Sequence, residues 1–105
     1  MKKKPEQDTI RVPTPNKSKK EIFAVAHKIL GGARMDVICE DGKTRMARIP
    51  GSKRRRMGRI RIGDLLIISP WEIQDEKADI IYRYRNNQAN LLKRKNVLPE
   101  ILATE

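Results

Sequence analysis

Aromatic residues are scarce in this chain. One Phe, one Trp and two Tyr among 105 residues exclude a surface that grips single strands by stacking base after base, where each platform contributes about 1–3 kcal/mol. One Cys and one His leave no metal-ligand set and no internal disulfide. Cys39 reads as a small buried hydrophobe in a reducing compartment. No Ser, Cys or Asp is placed to complete a triad with His27, which reads as a structural residue at a strand edge. A Gly-rich phosphate loop and a paired acid and base are also missing, so the reading is not an enzyme, with no cofactor. The longest apolar run, Ile22 to Ala26, has five residues, far short of the ~20 that cross a bilayer. The start, MKKKPEQD, is basic but lacks the apolar stretch of a secretory signal. A cytoplasmic protein with no membrane partner is expected, and a monomer.

Acidic residues are missing from one place in particular. From Lys43 to Arg61 the chain holds nine basic residues, Lys43, Arg45, Arg48, Lys53, Arg54, Arg55, Arg56, Arg59 and Arg61, and no Asp or Glu. Four adjacent like charges repel one another, and a folded surface tolerates them best against a polyanion. The whole chain carries a formal net charge of +11, the footprint of a nucleic-acid binder. Arg outnumbers Lys in the stretch, and a planar guanidinium can donate two parallel hydrogen bonds to phosphate. With so few aromatics, the expected ligand is RNA that is already folded, read through phosphates and shape.

Residues 1–20 hold three Pro and six Lys with Ile10 and Val12 as the only sizeable aliphatics after Met1. Such a segment cannot bury enough apolar surface to offset its ordering entropy, and a flexible basic arm is expected. IFAVAHKIL, 22–30, predicts a strand with Phe23, Val25, His27 and Ile29 on one face, a helix being the alternative for so short a run. MDVICE, 35–40, alternates with Met35, Val37 and Cys39 inward. Asp41-Gly42 is a hairpin signal leading to a strand over 44–49. There Arg45 shares the parity of Ala47 and Ile49, which suggests a bulge or an edge. Pro50-Gly51-Ser52 opens a basic loop, Gly63-Asp64 marks a turn, and LLIIS, 65–69, reads as a strand buried on both faces. ADIIYRY, 78–84, is a fifth strand with Ile80, Tyr82 and Tyr84 on one side. Asn87 is placed to cap a short helix whose face carries Gln88, Leu91, Leu92 and Lys95.

Five short strands with one tight hairpin and a longer third connection suit a small closed barrel, since closure removes exposed edges. The fold class expected is all-β with a small helical addition. It is a five-stranded oligonucleotide-binding (OB) barrel of the S1-like RNA-binding type with a short C-terminal helix; an SH3-like barrel is the runner-up. The organisation is an arm over 1–20, a barrel over 21–85 and a helix with tail over 86–105. The one acidic patch, Glu72, Asp75, Glu76 and Asp79, reads either as a solvated loop that keeps the far side of the barrel off RNA or as a docking surface for a basic protein. Trp71 reads as a barrel plug ahead of a base-stacking platform.

IFAVAHKILGGARMDVICEDGKTRMARIPGSKRRR resembles the first half of the translation initiation factor 1A family, the archaeal and eukaryotic relatives of bacterial initiation factor 1. PWEIQDEKADIIYRY, with its Pro70-Trp71 pair, is similar to the archaeal branch. The resemblance covers about residues 20–98. It implies the OB barrel and a site on small-subunit ribosomal RNA in the decoding region of the aminoacyl-tRNA (A) site. It also implies promotion of initiator tRNA binding and start-codon selection, with other initiation factors and the initiator tRNA complex as partners. By position it implies that Arg45, Arg48, Lys53, Arg54, Arg55, Arg56 and Arg61 face RNA, and Arg59 stands where family members usually carry Trp. A permanent ribosomal protein or a cold-shock-like RNA chaperone is the alternative function.

Overall fold

A computed structural model describes residues 12–95, 98, 99 and 102, with the side chains of Arg55 and Arg56 outside the described set. Strand β1 runs Ile22–Gly31, β2 Arg34–Cys39 and β3 Thr44–Arg48. A 3-10 turn, Gly51–Lys53, continues into a short helix α1, Arg54–Met57. Then come β4, Leu65–Pro70, β5, Lys77–Arg83, and α2, Asn86–Arg94. The strands close in the order β1-β2-β3-β5-β4, and all neighbours are antiparallel except β3 with β5. A closed five-stranded barrel with this crossover is the OB topology.

The interior is small because β1 contributes small residues to it. Ala24 pairs with Leu66, and Ala24 and Ala26 leave room for Leu66, Ile68, Val37 and Ile80, all fully buried or nearly so. A second apolar cluster lies outside the barrel wall. Phe23, Leu65, Ile67, Tyr84, Leu92, Leu98 and Leu102 pack there, with Val12 against them. The run LLII is therefore buried on both sides: Leu66 and Ile68 face the barrel core while Leu65 and Ile67 meet the outer cluster with Leu92 of α2.

Several local expectations are corrected. In β1 the register shifts between Ala26 and Lys28. Phe23 and Val25 stay in the outer cluster, while His27 and Ile29 are exposed and share no buried face with them. In β5 Ile67 pairs with Tyr82 but Ile68 with Ile80, so Ile81 is an extra residue. That bulge separates Ile80, in the barrel core, from Tyr82 and Tyr84, in the outer cluster. By contrast β2 and β3 pair without any shift, so Arg45 causes neither bulge nor edge. Helix α2 starts two residues earlier than expected, with Arg85 rather than Asn87 at its N-cap. The Gln88 side chain reaches back to accept from the Arg85 N–H at 2.9 Å. The basic loop expected after Pro50 is helical from Gly51 to Met57.

Part of the arm is held against the barrel. Asn16 caps a 3-10 turn, Lys17–Lys19, the Tyr84 hydroxyl donates to the Pro13 carbonyl, and Lys17 pairs with Glu40 at 3.3 Å. Residues 1–11 lie outside the described residues.

Candidate nucleic-acid interface

The Asp41-Gly42 turn sets the geometry of the basic face. Gly42 has φ +85°, a left-handed conformation that suits Gly, and the Asp41 side chain accepts from the Lys43 N–H at 3.1 Å. The hairpin is symmetric about this turn, so Arg34 stands directly opposite Arg48. Like charges in that arrangement repel. Arg48 is relieved by β5, where its parallel neighbour Asp79 accepts from Nε at 3.0 Å. The Arg48 guanidinium also lies 5.1 Å from the Trp71 ring centre, with Lys77 5.7 Å from it. Trp71 donates from Nε1 to the same Asp79 oxygen at 3.1 Å. It sits half-buried at the rim, so it is not a barrel plug.

Arg45 is buried rather than presented to RNA. It is 4% exposed and points along the parity of Ala47, where burial would be costly without partners. Its Nη1 and Nη2 donate to the Asp41 carboxylate at 3.1 and 3.0 Å, Nη2 reaches Asp75 at 3.0 Å, and Nε donates to the Asp75 carbonyl at 2.7 Å. Burial works against the charge, but the hydrogen bonds that Arg45 donates to Asp41 and Asp75 outweigh it and keep the guanidinium protonated. In return the Arg45 hydrogen bonds hold the carboxyls of Asp41 and Asp75 below the usual carboxylate range. Burial pushes the neighbouring Cys39 thiol up, as expected for an inert core cysteine. Lys43 is drawn into the same cluster, 3.3 Å from Asp75.

The acidic patch is accordingly not a free surface on the far side. Asp75 and Asp79 are tied to the first half of the basic stretch. Glu72 is exposed, 3.9 Å from Lys20, and Glu76 is exposed.

The second half of the stretch is different. Lys53, Arg54, Arg59 and Arg61 make no ion pair among the described residues, nor does Arg34. Buried Met57 and Ile60 close one end of the barrel core and fix the segment that carries these cations. Gly58, at φ +65°, reverses the chain between them, and a Cβ there would meet Arg83 Nη2 at 3.4 Å. Arg34, Arg54 and Arg59 line a shallow groove of about 360 Å³ floored by Ile29, Ile49 and Ile60. Arg61 is exposed on the adjoining turn, where its N–H donates to Asp64 at 2.8 Å. Arg34 was missed in reading the sequence. Counting outward from Asp41-Gly42 gives its place opposite Arg48, so the signal was present.

A closed barrel of OB topology with uncompensated arginines gathered at one end belongs to the class of small oligonucleotide-binding modules. The chain is a member of the family described as Translation initiation factor 1A / IF-1, whose model matches residues 7–105. Translation initiation factor 1A of Picrophilus torridus is 55% identical over 97 residues, covering 92% of this chain and 89% of that protein. The factor of the same name from Thermococcus kodakarensis is 48% identical over 94 residues, covering 89% and 80%. The solution structure of translation initiation factor IF-1 from the Wolbachia endosymbiont strain TRS of Brugia malayi is similar in fold. Its TM-score is 0.50 at 24% identity, over 72% of this chain and 92% of that one. Among the described residues no helix is long and apolar enough to cross a membrane.

Proposed function

We propose that this protein acts in translation initiation by binding ribosomal RNA of the small subunit at the A-site decoding region. From there it promotes initiator tRNA binding and start-codon selection alongside other initiation factors, without performing chemistry. The observation that carries the reading is the groove framed by Arg34, Arg54 and Arg59, three guanidinium groups with no carboxylate partner among the described residues, in a chain of this family. Met57 and Ile60, buried in the barrel core, anchor the backbone that carries Arg54 and Arg59, so no large backbone ordering is needed when phosphates meet them.

The aromatics support folded RNA as the ligand. Phe23 and Tyr84 are buried, Tyr82 is half-buried with its hydroxyl on Gln88, and Trp71 is engaged by Arg48 and Asp79. None is left as an open platform, which argues against a chaperone that stacks unpaired bases. Structured RNA offers backbone and shape to arginines instead.

The test is sedimentation with isolated small and large ribosomal subunits. Wild-type protein should travel with the small subunit alone, and replacing Arg54, Arg55 and Arg56 together by Ala should abolish this while leaving the thermal midpoint unchanged. Unchanged affinity in the triple variant at moderate salt sinks the reading. Retention of the protein through a high-salt wash would point to a permanent ribosomal protein.

A further inference from the structure

Four large aliphatic side chains stand in solvent among the described residues: Ile29, Leu30, Ile62 and Ile73. The first three lie toward the groove end of the barrel. Ile29 floors the groove, Leu30 follows it in β1, and Ile62 precedes Gly63, whose N–H donates to the Ala26 carbonyl of β1 at 2.8 Å. Ile73 lies elsewhere. Because β1 is antiparallel to β2 and β4, and these are antiparallel to β3 and β5 respectively, the β2–β3 turn and the β4–β5 loop, residues 71–76, share the opposite end. In the middle of that loop Ile73 is 96% exposed.

A single exposed aliphatic side chain is ordinary on a protein surface, but this one is mounted on a braced loop. The carbonyls of Gln74, Asp75 and Glu76 accept in turn from the Lys77 N–H at 2.9 Å, Arg45 Nε at 2.7 Å and the Met46 N–H at 2.9 Å. The Trp71 N–H donates to the Lys77 carbonyl at 2.9 Å and closes the loop at its base. Buried Arg45 also holds the Asp75 carboxylate at 3.0 Å, so the loop is tied to the barrel wall from within. Backbone fixed in this way loses little freedom when a partner binds.

Charge selects the partner. Asp75 and Asp79 are engaged by Arg45 and Arg48. Glu72 is 80% exposed with only a long 3.9 Å contact to Lys20, and exposed Glu76 makes no ion pair among the described residues. Carboxylates repel phosphate, so RNA does not fit this end. An aliphatic knob flanked by carboxylates suits the inverse surface, rich in Lys or Arg around an apolar face. We propose that the β4–β5 loop docks a basic protein segment. Ile73 packs into the apolar face of that segment as the anchor, and Glu72 and Glu76 pair with its cations at the rim. The groove at the other end stays clear, and the inference does not rest on the RNA-binding reading.

The experiment is an NMR titration of the full-length ¹⁵N-labelled chain with an amphipathic peptide of about 14 residues, Lys on one face and Leu on the other. Oligolysine and a peptide of the same pattern with Glu in place of Lys are the controls. The Lys/Leu peptide should shift the amides of residues 71–77 and of the adjoining turn, 41–43, ahead of others. Ile73→Ser should weaken that binding about tenfold, and Glu72→Lys combined with Glu76→Lys by at least as much. All three side chains are exposed, so neither variant should move the thermal midpoint. Silence with the Lys/Leu peptide, or shifts undiminished in Ile73→Ser, overturn the proposal. Equal binding of oligolysine overturns it in favour of bare charge attraction, and an equal response of residues 71–77 to the Glu/Leu peptide removes the charge selection. Concentration-dependent broadening of residues 71–77 without peptide assigns the loop to a second copy of this chain and also overturns it. Sedimentation of wild-type protein with the small subunit reports separately on the RNA-binding reading, and its failure leaves the docking site standing.

Discussion

At the residue scale, the fate of a cation depends on whether the fold supplies a carboxylate. Arg45 is enclosed by Asp41 and Asp75, which links the β2–β3 turn to the β4–β5 loop. Arg45→Met should lower stability at pH 7 by about 1–3 kcal/mol, read as a shift in the urea midpoint without loss of RNA binding. The two depressed carboxyls add a pH dependence. Their stabilisation is complete above the unfolded carboxylate pKa of about 4 and is lost as pH falls through the lower folded values. Wild-type protein should therefore lose more stability between pH 7 and pH 3 than Arg45→Met does; equal losses would show that Arg45 does not set those pKa values. Trp71 belongs with this group because it shares Asp79 with Arg48. Trp71→Ala should reduce stability by about 1–2 kcal/mol and RNA affinity much less; the reverse pattern would make it a base platform.

At the element scale, the connection between β3 and β4 carries the cations proposed to meet RNA. It is neither a floppy loop nor a long helix. A 3-10 turn and one helical turn, Gly51–Met57, are pinned by Met57 and reversed at Gly58 so that Ile60 also enters the core. Because Met57 and Ile60 meet the packing requirement, Lys53, Arg54 and Arg59 beside them are free to be cationic. Gly58→Ala would force a Cβ into a left-handed backbone position close to Arg83. It should destabilise the fold by about 1–2 kcal/mol and weaken small-subunit binding, although no charge changes. Wild-type affinity in that variant would mean that the position of the segment is unimportant.

For the whole molecule, charge is sorted along the barrel. One end carries Arg34, Arg54 and Arg59 around the groove. The β2–β3 turn and β4–β5 loop gather Asp41, Lys43, Arg45 and Asp75 into compensated pairs. In a chain of net charge +11, these uncompensated arginines favour approach of a polyanion to that end. If about five phosphates are neutralised, raising salt from about 50 to 200 mM should weaken RNA binding by roughly two to three decades. A flat salt response in a binding titration would exclude phosphate contacts as the main source of affinity.

The barrel strands, the hairpin at Asp41-Gly42, the doubly buried LLII run and the acid-free stretch were all legible in the amino-acid order. Each is encoded within a few neighbouring residues, by alternation, turn chemistry or local charge. Bulges and charge partners emerged only once the strands were assembled. Nothing local shows that Ile81 is an extra residue, because that depends on its register with Ile67 and Ile68. Nor can residues 43–61 alone reveal which arginines are neutralised. Asp75 lies thirty residues from Arg45, and Asp79 reaches Arg48 through the parallel β3–β5 pairing. Among the described residues, barrel closure brings those carboxylates to the first half of the stretch and none to Arg54 or Arg59, so chain topology selects which charges stay uncompensated.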